Sequence, residues 1–282
     1  MKWEGRRGSR NVEDRRGRSV GRTAGGIGGV GLVAVLVVGY FLGIDVSPLL
    51  DGQQGTAPRQ TAELSAADKA AGQFVSVTLA DTEQVWTQVF KEQLNRAYNP
   101  PKLVLFSQST SSPCGGANGA SGPFYCPADR QAYLDTDFFV VLQRQLGAKG
   151  DFAAAYVVAH EIAHHVQDEL GILGKANQVR QQVSPAESNL ISVRIELQAD
   201  CFSGIWARYA EDHLGTIEPG DLNEAVNAAQ KIGDDTLQRN AGQRPNPHTF
   251  THGTSDQRAR WFVRGYQTGQ LASCDTFAAT TL

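Results

Sequence analysis

Ala159-His160-Glu161-Ile162-Ala163-His164-His165-Val166-Gln167, residues 159–167, decides how the rest of this 282-residue chain is read. Two histidines four residues apart on a helix stand about 400° around its axis and roughly 6 Å along it, so they project side by side. That spacing suits one shared metal ion, with Glu161 beside it as a general base. The preceding stretch from Asp151 to Val158 has three alanines and no proline, so a helix is expected with Asp151 as N-cap and Gly171 past its end. His165 lies about 100° around from His164 and is expected to pack rather than to bind metal.

A second helix is expected from Pro185 to Tyr209, with Glu196 and Asp200 on one face. A catalytic zinc takes three protein ligands and keeps a fourth position open, and two histidines with a glutamate form one such set. Glu196 can complete the set of His160 and His164. Asp200 can accept the N–H that a ligating histidine usually gives to a carboxylate. The developing oxyanion of a hydrolysis needs a further donor. His252, in Thr251-His252-Gly253-Thr254-Ser255, is the candidate, with His248 behind it.

Working back to the first residue, the segment 1–23 carries Lys2, Arg6, Arg7, Arg10, Arg15, Arg16, Arg18 and Arg22 against three acidic residues. Residues 24–44 follow without a charge and match the length needed to cross a bilayer. Basic flanks stay cytoplasmic. The expectation is therefore one uncleaved signal anchor, with the N-terminus cytoplasmic and the remainder extracytoplasmic. Residues 45–73, rich in Gln, Gly, Thr, Ala and Ser, read as a tether, and residues 74–282 as the folded domain. The overall net charge of −3 gives no electrostatic case for nucleic acid as partner.

Within the domain, Thr82 to Tyr98 carries a helical stripe stopped by Pro100 and Pro101, and 102–107 and 131–135 read as strands. Further helices are expected at 138–146, 221–237 and 255–268. The four cysteines permit three pairings if oxidised, of which Cys114–Cys126 and Cys201–Cys274 are preferred. A cysteine zinc site lacks any C-x-x-C pair.

The segments 11–17, 122–127, 160–167, 196–200 and 251–255 together resemble the bacterial family of neutral zinc metallopeptidases with a single N-terminal anchor. The resemblance implies an α+β, helix-rich, zincin-like domain: a small mixed sheet over the motif helix, preceded by one transmembrane helix. It implies Zn²⁺ and the thermolysin-like division of labour in which Glu196 binds zinc and Asp200 supports His160, while the site chemistry, a zinc-activated water with Glu161 as base, is what points to hydrolysis of a peptide bond in an unidentified peptide or protein. By the same analogy, the strand at 131–135 is the edge that holds substrate backbone. Two other classes stay open. One is a catalytically silent zinc-bearing module that binds an envelope partner, for which Glu161 would have no use. The other is an envelope amidase, by zinc on peptidoglycan or by metal-free histidine acid–base chemistry. No Gly-x-Ser-x-Gly elbow supports a serine mechanism.

Overall fold

The computed structural model describes residues 1–17, 64–118 and 122–282. Helix α1 spans Ala66–Val89 and opens on a capping box, Ser65 accepting from the Asp68 N–H while Asp68 accepts from that of Ser65. A π turn, Phe90–Leu94, follows, and Asn95 in the left-handed region ends it. The domain therefore starts before residue 74. Of the residues that read as tether, Ala66 to Gln73 belong instead to this helix, against which an arm is packed, and 45–63 lie outside the described residues. A Cβ on Gly72 would meet the Arg16 guanidinium, and one on Gly8 would meet Ser76.

That arm is the N-terminal segment itself. Arg6 pairs with the buried Asp81. Ser9 and Asn11 both donate to Glu83, at 2.5 and 2.8 Å. Strand β1, Val12–Asp14, then pairs in parallel with β2, Lys102–Phe106. Arg16, buried, donates twice to Asp14 and once to the Asp68 carbonyl. The expected basic segment apart from the domain is thus corrected, because residues 1–17 are part of the fold. The apolar stretch expected as an anchor, 24–44, lies outside the described residues. Among the described residues no helix is long and apolar enough to cross a membrane.

The main sheet has the order β1-β2-β6-β5, with β6 Gln131–Asp135 parallel to β2 and β5 Phe124–Cys126 antiparallel to β6. The strand at 131–135 is therefore internal, paired on both sides, and not the edge that was expected. The edge on that side is β5. A short hairpin, β3 Ser109–Ser112 and β4 Gly115–Asn118, stands apart.

Helix α2 is Phe138–Arg144, and α3, the motif helix, is Asp151–Glu169 with Gly150 rather than Asp151 at its cap. α4 is Ile172–Arg180 and α5 is Pro185–Tyr209, opened by a Ser184–Glu187 capping box. The single helix expected at 221–237 is broken at Gly233 into α6, Asp221–Lys231, and α7, Asp234–Asn240. α8 is Ser255–Thr268, capped by Thr254 and closed by Gly269 in the left-handed region. α3 lies in the middle of the core, and Phe152, Ala155, Tyr156, Val158, Ala159 and Ile162 have no exposed surface. Both disulfides form as preferred, Cys114–Cys126 and Cys201–Cys274.

α5 and α8 cross backbone to backbone. A Cβ on Gly204 would lie 2.0 Å from the Phe262 carbonyl oxygen, and one on Gly265 would lie 1.8 Å from that of Cys201. Alanine at either position gains about 1 kcal/mol of helix propensity. The overpacking costs up to about 3 kcal/mol, and backbone atoms cannot swing aside as a side chain would. Gly204→Ala is therefore expected to lower unfolding stability by a net ~2 kcal/mol in chemical denaturation, and unchanged stability would refute the close crossing.

Candidate metal centre

The i, i+4 spacing on α3 brings the His160 and His164 rings to 4.8 Å between centroids. α5 lies against α3 and presents Glu196 to both. Oε2 of Glu196 is 3.1 Å from His160 Nε2, and Oε1 is 3.5 Å from His164 Nε2. One ligand atom from each of the three residues can be chosen so that all lie within 4.8 Å of one another. Two donors about 2.1 Å from a tetrahedral ion stand about 3.4 Å apart, so the carboxylate-to-histidine distances fit one ion. Two imidazole nitrogens and a carboxylate oxygen form one of the donor sets that suit a catalytic zinc. Tyr156, His160 and His164 follow one another at four-residue steps along this face of the helix.

Burial disfavours the imidazolium of His160, but Asp200 and Glu196 outweigh it and raise its pKa to about 10. Metal-free, the ring thus keeps a proton toward each carboxylate, one of them in the space between His160 and Glu196. Burial likewise opposes ionisation of Glu196, yet the neighbouring His164 and His160 hold it well below the usual carboxylate range.

Behind His160, Nδ1 meets Asp200 Oδ1 at 2.9 Å. Asp200 has no exposed surface. It also accepts from the Tyr156 hydroxyl and from Arg258 of α8, at 2.9 Å from Nε and 3.0 Å from Nη2. Burial would raise its pKa, but Arg258 and His160 bring it below the ordinary aspartate value. Glu161 is buried, which raises its pKa despite both nearby histidines, and among the described residues no side-chain hydrogen bond holds it.

His252 stands in the loop before α8. Gly253, at φ +92°, is packed so close to α5 that a Cβ would meet Leu197 and Val193 at 3.1 and 3.3 Å, which seats the loop beside Glu196. The ring is half exposed. Partial desolvation lowers its pKa, while Asp234 and then Glu196 raise it to a net increase. Asp234, at the start of α7, accepts from the backbone N–H groups of Thr251, His252 and Gly253 at 2.8, 2.6 and 3.0 Å and lies 3.3 Å from His252 Nδ1. His248, the second candidate, is exposed in a 3₁₀ turn, and its carbonyl accepts from Asn189. His165 faces away from the metal set, donating from Nε2 to the Asn99 carbonyl at 2.7 Å while Nδ1 meets the Tyr125 hydroxyl.

Asp234, Arg258 and Tyr156 went unread in the sequence. The first two come from separate elements, and no local pattern marks them. Tyr156 could have been found, since it sits one helical turn before His160 on the same face.

Over residues 1–277 the chain matches the family whose description reads "Putative neutral zinc metallopeptidase". It is 48% identical to the uncharacterized protein YpfJ of Escherichia coli strain K12, over 98% of this chain and 99% of that protein. It is 44% identical to the uncharacterized protein Mb2605 of Mycobacterium bovis, over 75% of this chain and 74% of that protein. The same figures hold for Rv2575 of Mycobacterium tuberculosis. No solved structure matches the chain.

Proposed function

The chain belongs to this neutral zinc metallopeptidase family, and on that premise we propose that it hydrolyses peptide bonds at the centre formed by His160, His164 and Glu196. The observation that carries the reading is the convergence of those three donors beside a buried, unengaged Glu161. When bound, zinc supplies a water of lowered pKa and polarises the scissile carbonyl.

The chain's own residues do the rest. Glu161 removes a proton from the attacking water and returns it to the leaving amine, so the amide C–N bond breaks as the carbonyl carbon gains its new oxygen. His252, held by Asp234, donates to the oxygen on which negative charge develops. Asp200 keeps the Nδ1 proton of His160 turned away from the metal side, so that Nε2 offers its lone pair. Among the described residues β5 has no strand on its outer side, and it stands beside α3 through Tyr125, which donates to Asp168 at 3.0 Å. An extended substrate adds to that edge rather than to 131–135.

The full-length protein is expected to carry one zinc by elemental analysis and to cleave members of a peptide library. Chelator should stop the cleavage and added zinc restore it. A zinc-loaded protein that cuts no peptide, or cutting that chelator leaves untouched, would overturn the reading. Release of peptide stems from peptidoglycan in the same assay would redirect it to an amidase.

A further inference from the structure

The two histidines are supported differently. His160 leans on a carboxylate, whereas Nδ1 of His164 meets an amide oxygen, Gln167 Oε1, at 2.8 Å. Gln167 has no exposed surface. Its Nε2 donates to the carbonyl of Ile195 at 2.8 Å and to Gln198 Oε1 at 3.0 Å. Gln198, also buried, donates in turn from Nε2 to the carbonyl of Cys274 at 3.0 Å.

A backbone carbonyl can only accept. The Cys274 carbonyl therefore selects the NH₂ end of Gln198 and turns its oxygen toward Gln167. The Ile195 carbonyl selects the NH₂ end of Gln167 independently. Either constraint leaves Oε1 as the atom that faces His164, and an amide oxygen cannot donate. Nδ1 must then carry the hydrogen, and Nε2, the nitrogen facing Glu196, must present its lone pair.

We propose that Gln167 is the positioning residue of His164, fixing its tautomer through a one-directional amide chain that runs from Cys274 through Gln198. Gln167 also bonds to the residue preceding Glu196, so one buried side chain sets both the second histidine and the backbone that carries the third ligand. The far end of the chain is pinned, because Cys274 is disulfide-linked to Cys201, three residues beyond Gln198 on α5. The inference rests on the zinc reading above for its consequence, but not for its first test.

That test is the nitrogen NMR spectrum of the metal-free protein at a pH where His164 is neutral. The wild type is expected to show His164 as the Nδ1–H tautomer, and an Nε2–H ring would overturn the proposal whether or not zinc ever binds. Gln167→Leu removes the acceptor and should give a tautomer mixture and a 10–100-fold loss of zinc affinity. Gln167→Glu keeps an acceptor for His164 while facing two other acceptors, so it should lower Tm yet hold zinc within about threefold of wild type. A merely structural role predicts instead that affinity follows Tm in both variants. That outcome, or wild-type affinity in Gln167→Leu, would sink the assignment. A wild type that binds no zinc would sink the functional reading and leave the tautomer result standing.

Discussion

Glu161→Gln is expected to retain zinc and lose hydrolysis by roughly 10²–10⁴-fold in kcat, the range a general acid–base residue supplies. The substitution is isosteric and neutral, and the group it replaces is buried, so neither packing nor solvation gives a reason for unfolding. The lost capacity is proton transfer alone. An amide oxygen cannot take the water's proton at neutral pH, and it has none to give the departing amine. Zinc content by elemental analysis and turnover on a peptide substrate are the two measurements needed. Turnover within threefold of wild type would remove Glu161 from the mechanism, and loss of the metal would recast it as a ligand.

Asp200→Ala carries the largest expected effect on stability. Three groups converge on that carboxylate from α3 and α8, and one of them is the buried guanidinium of Arg258. Removing one partner of a buried charge pair leaves the other uncompensated, which costs about 3–5 kcal/mol. The same change frees the Nδ1 side of His160, and losing such an acceptor lowers metal affinity 10–100-fold. Denaturation of the metal-free protein reads the first effect, and chelator competition the second. The two separate in Asp200→Ala combined with Arg258→Met. Replacing both members of a buried pair by apolar groups is often close to neutral, so stability should largely return while zinc affinity stays low. A single variant within about 0.5 kcal/mol of wild type would place Asp200 among ordinary surface residues.

What the sequence made legible was local. The four-residue step of His160 and His164 and the same step of Glu196 and Asp200 are properties of one helix each, and they follow from helical geometry alone. The capping pairs Ser184–Glu187 and Thr254–Gln257 likewise lie three residues apart, and the corresponding helices start where those pairs stand. What was hidden depended on partners distant in the chain. The start of α1 reads as linker because Ala, Ser and Gly are common in both, and Arg16, which explains Gly72, lies 56 positions earlier. Asp234 and Arg258 acquire meaning only when α7 and α8 fold back over α5. Whether a strand is edge or interior is decided by its neighbours, so 131–135 could be recognised as a strand but not placed. The Gln167–Gln198 chain is a case between, since both residues sit in stretches already singled out for their charged neighbours.

The docking of residues 1–17 also decides where this chain can be cut. A protein begun at Ala66 lacks β1, so the side of β2 that pairs with Val12 to Asp14 stands bare, along a strand whose Leu103, Val104 and Leu105 are apolar. A bare apolar strand edge is a template for pairing with another chain. The same cut takes Arg6 away from Asp81 and leaves that buried carboxylate without the guanidinium that faces it.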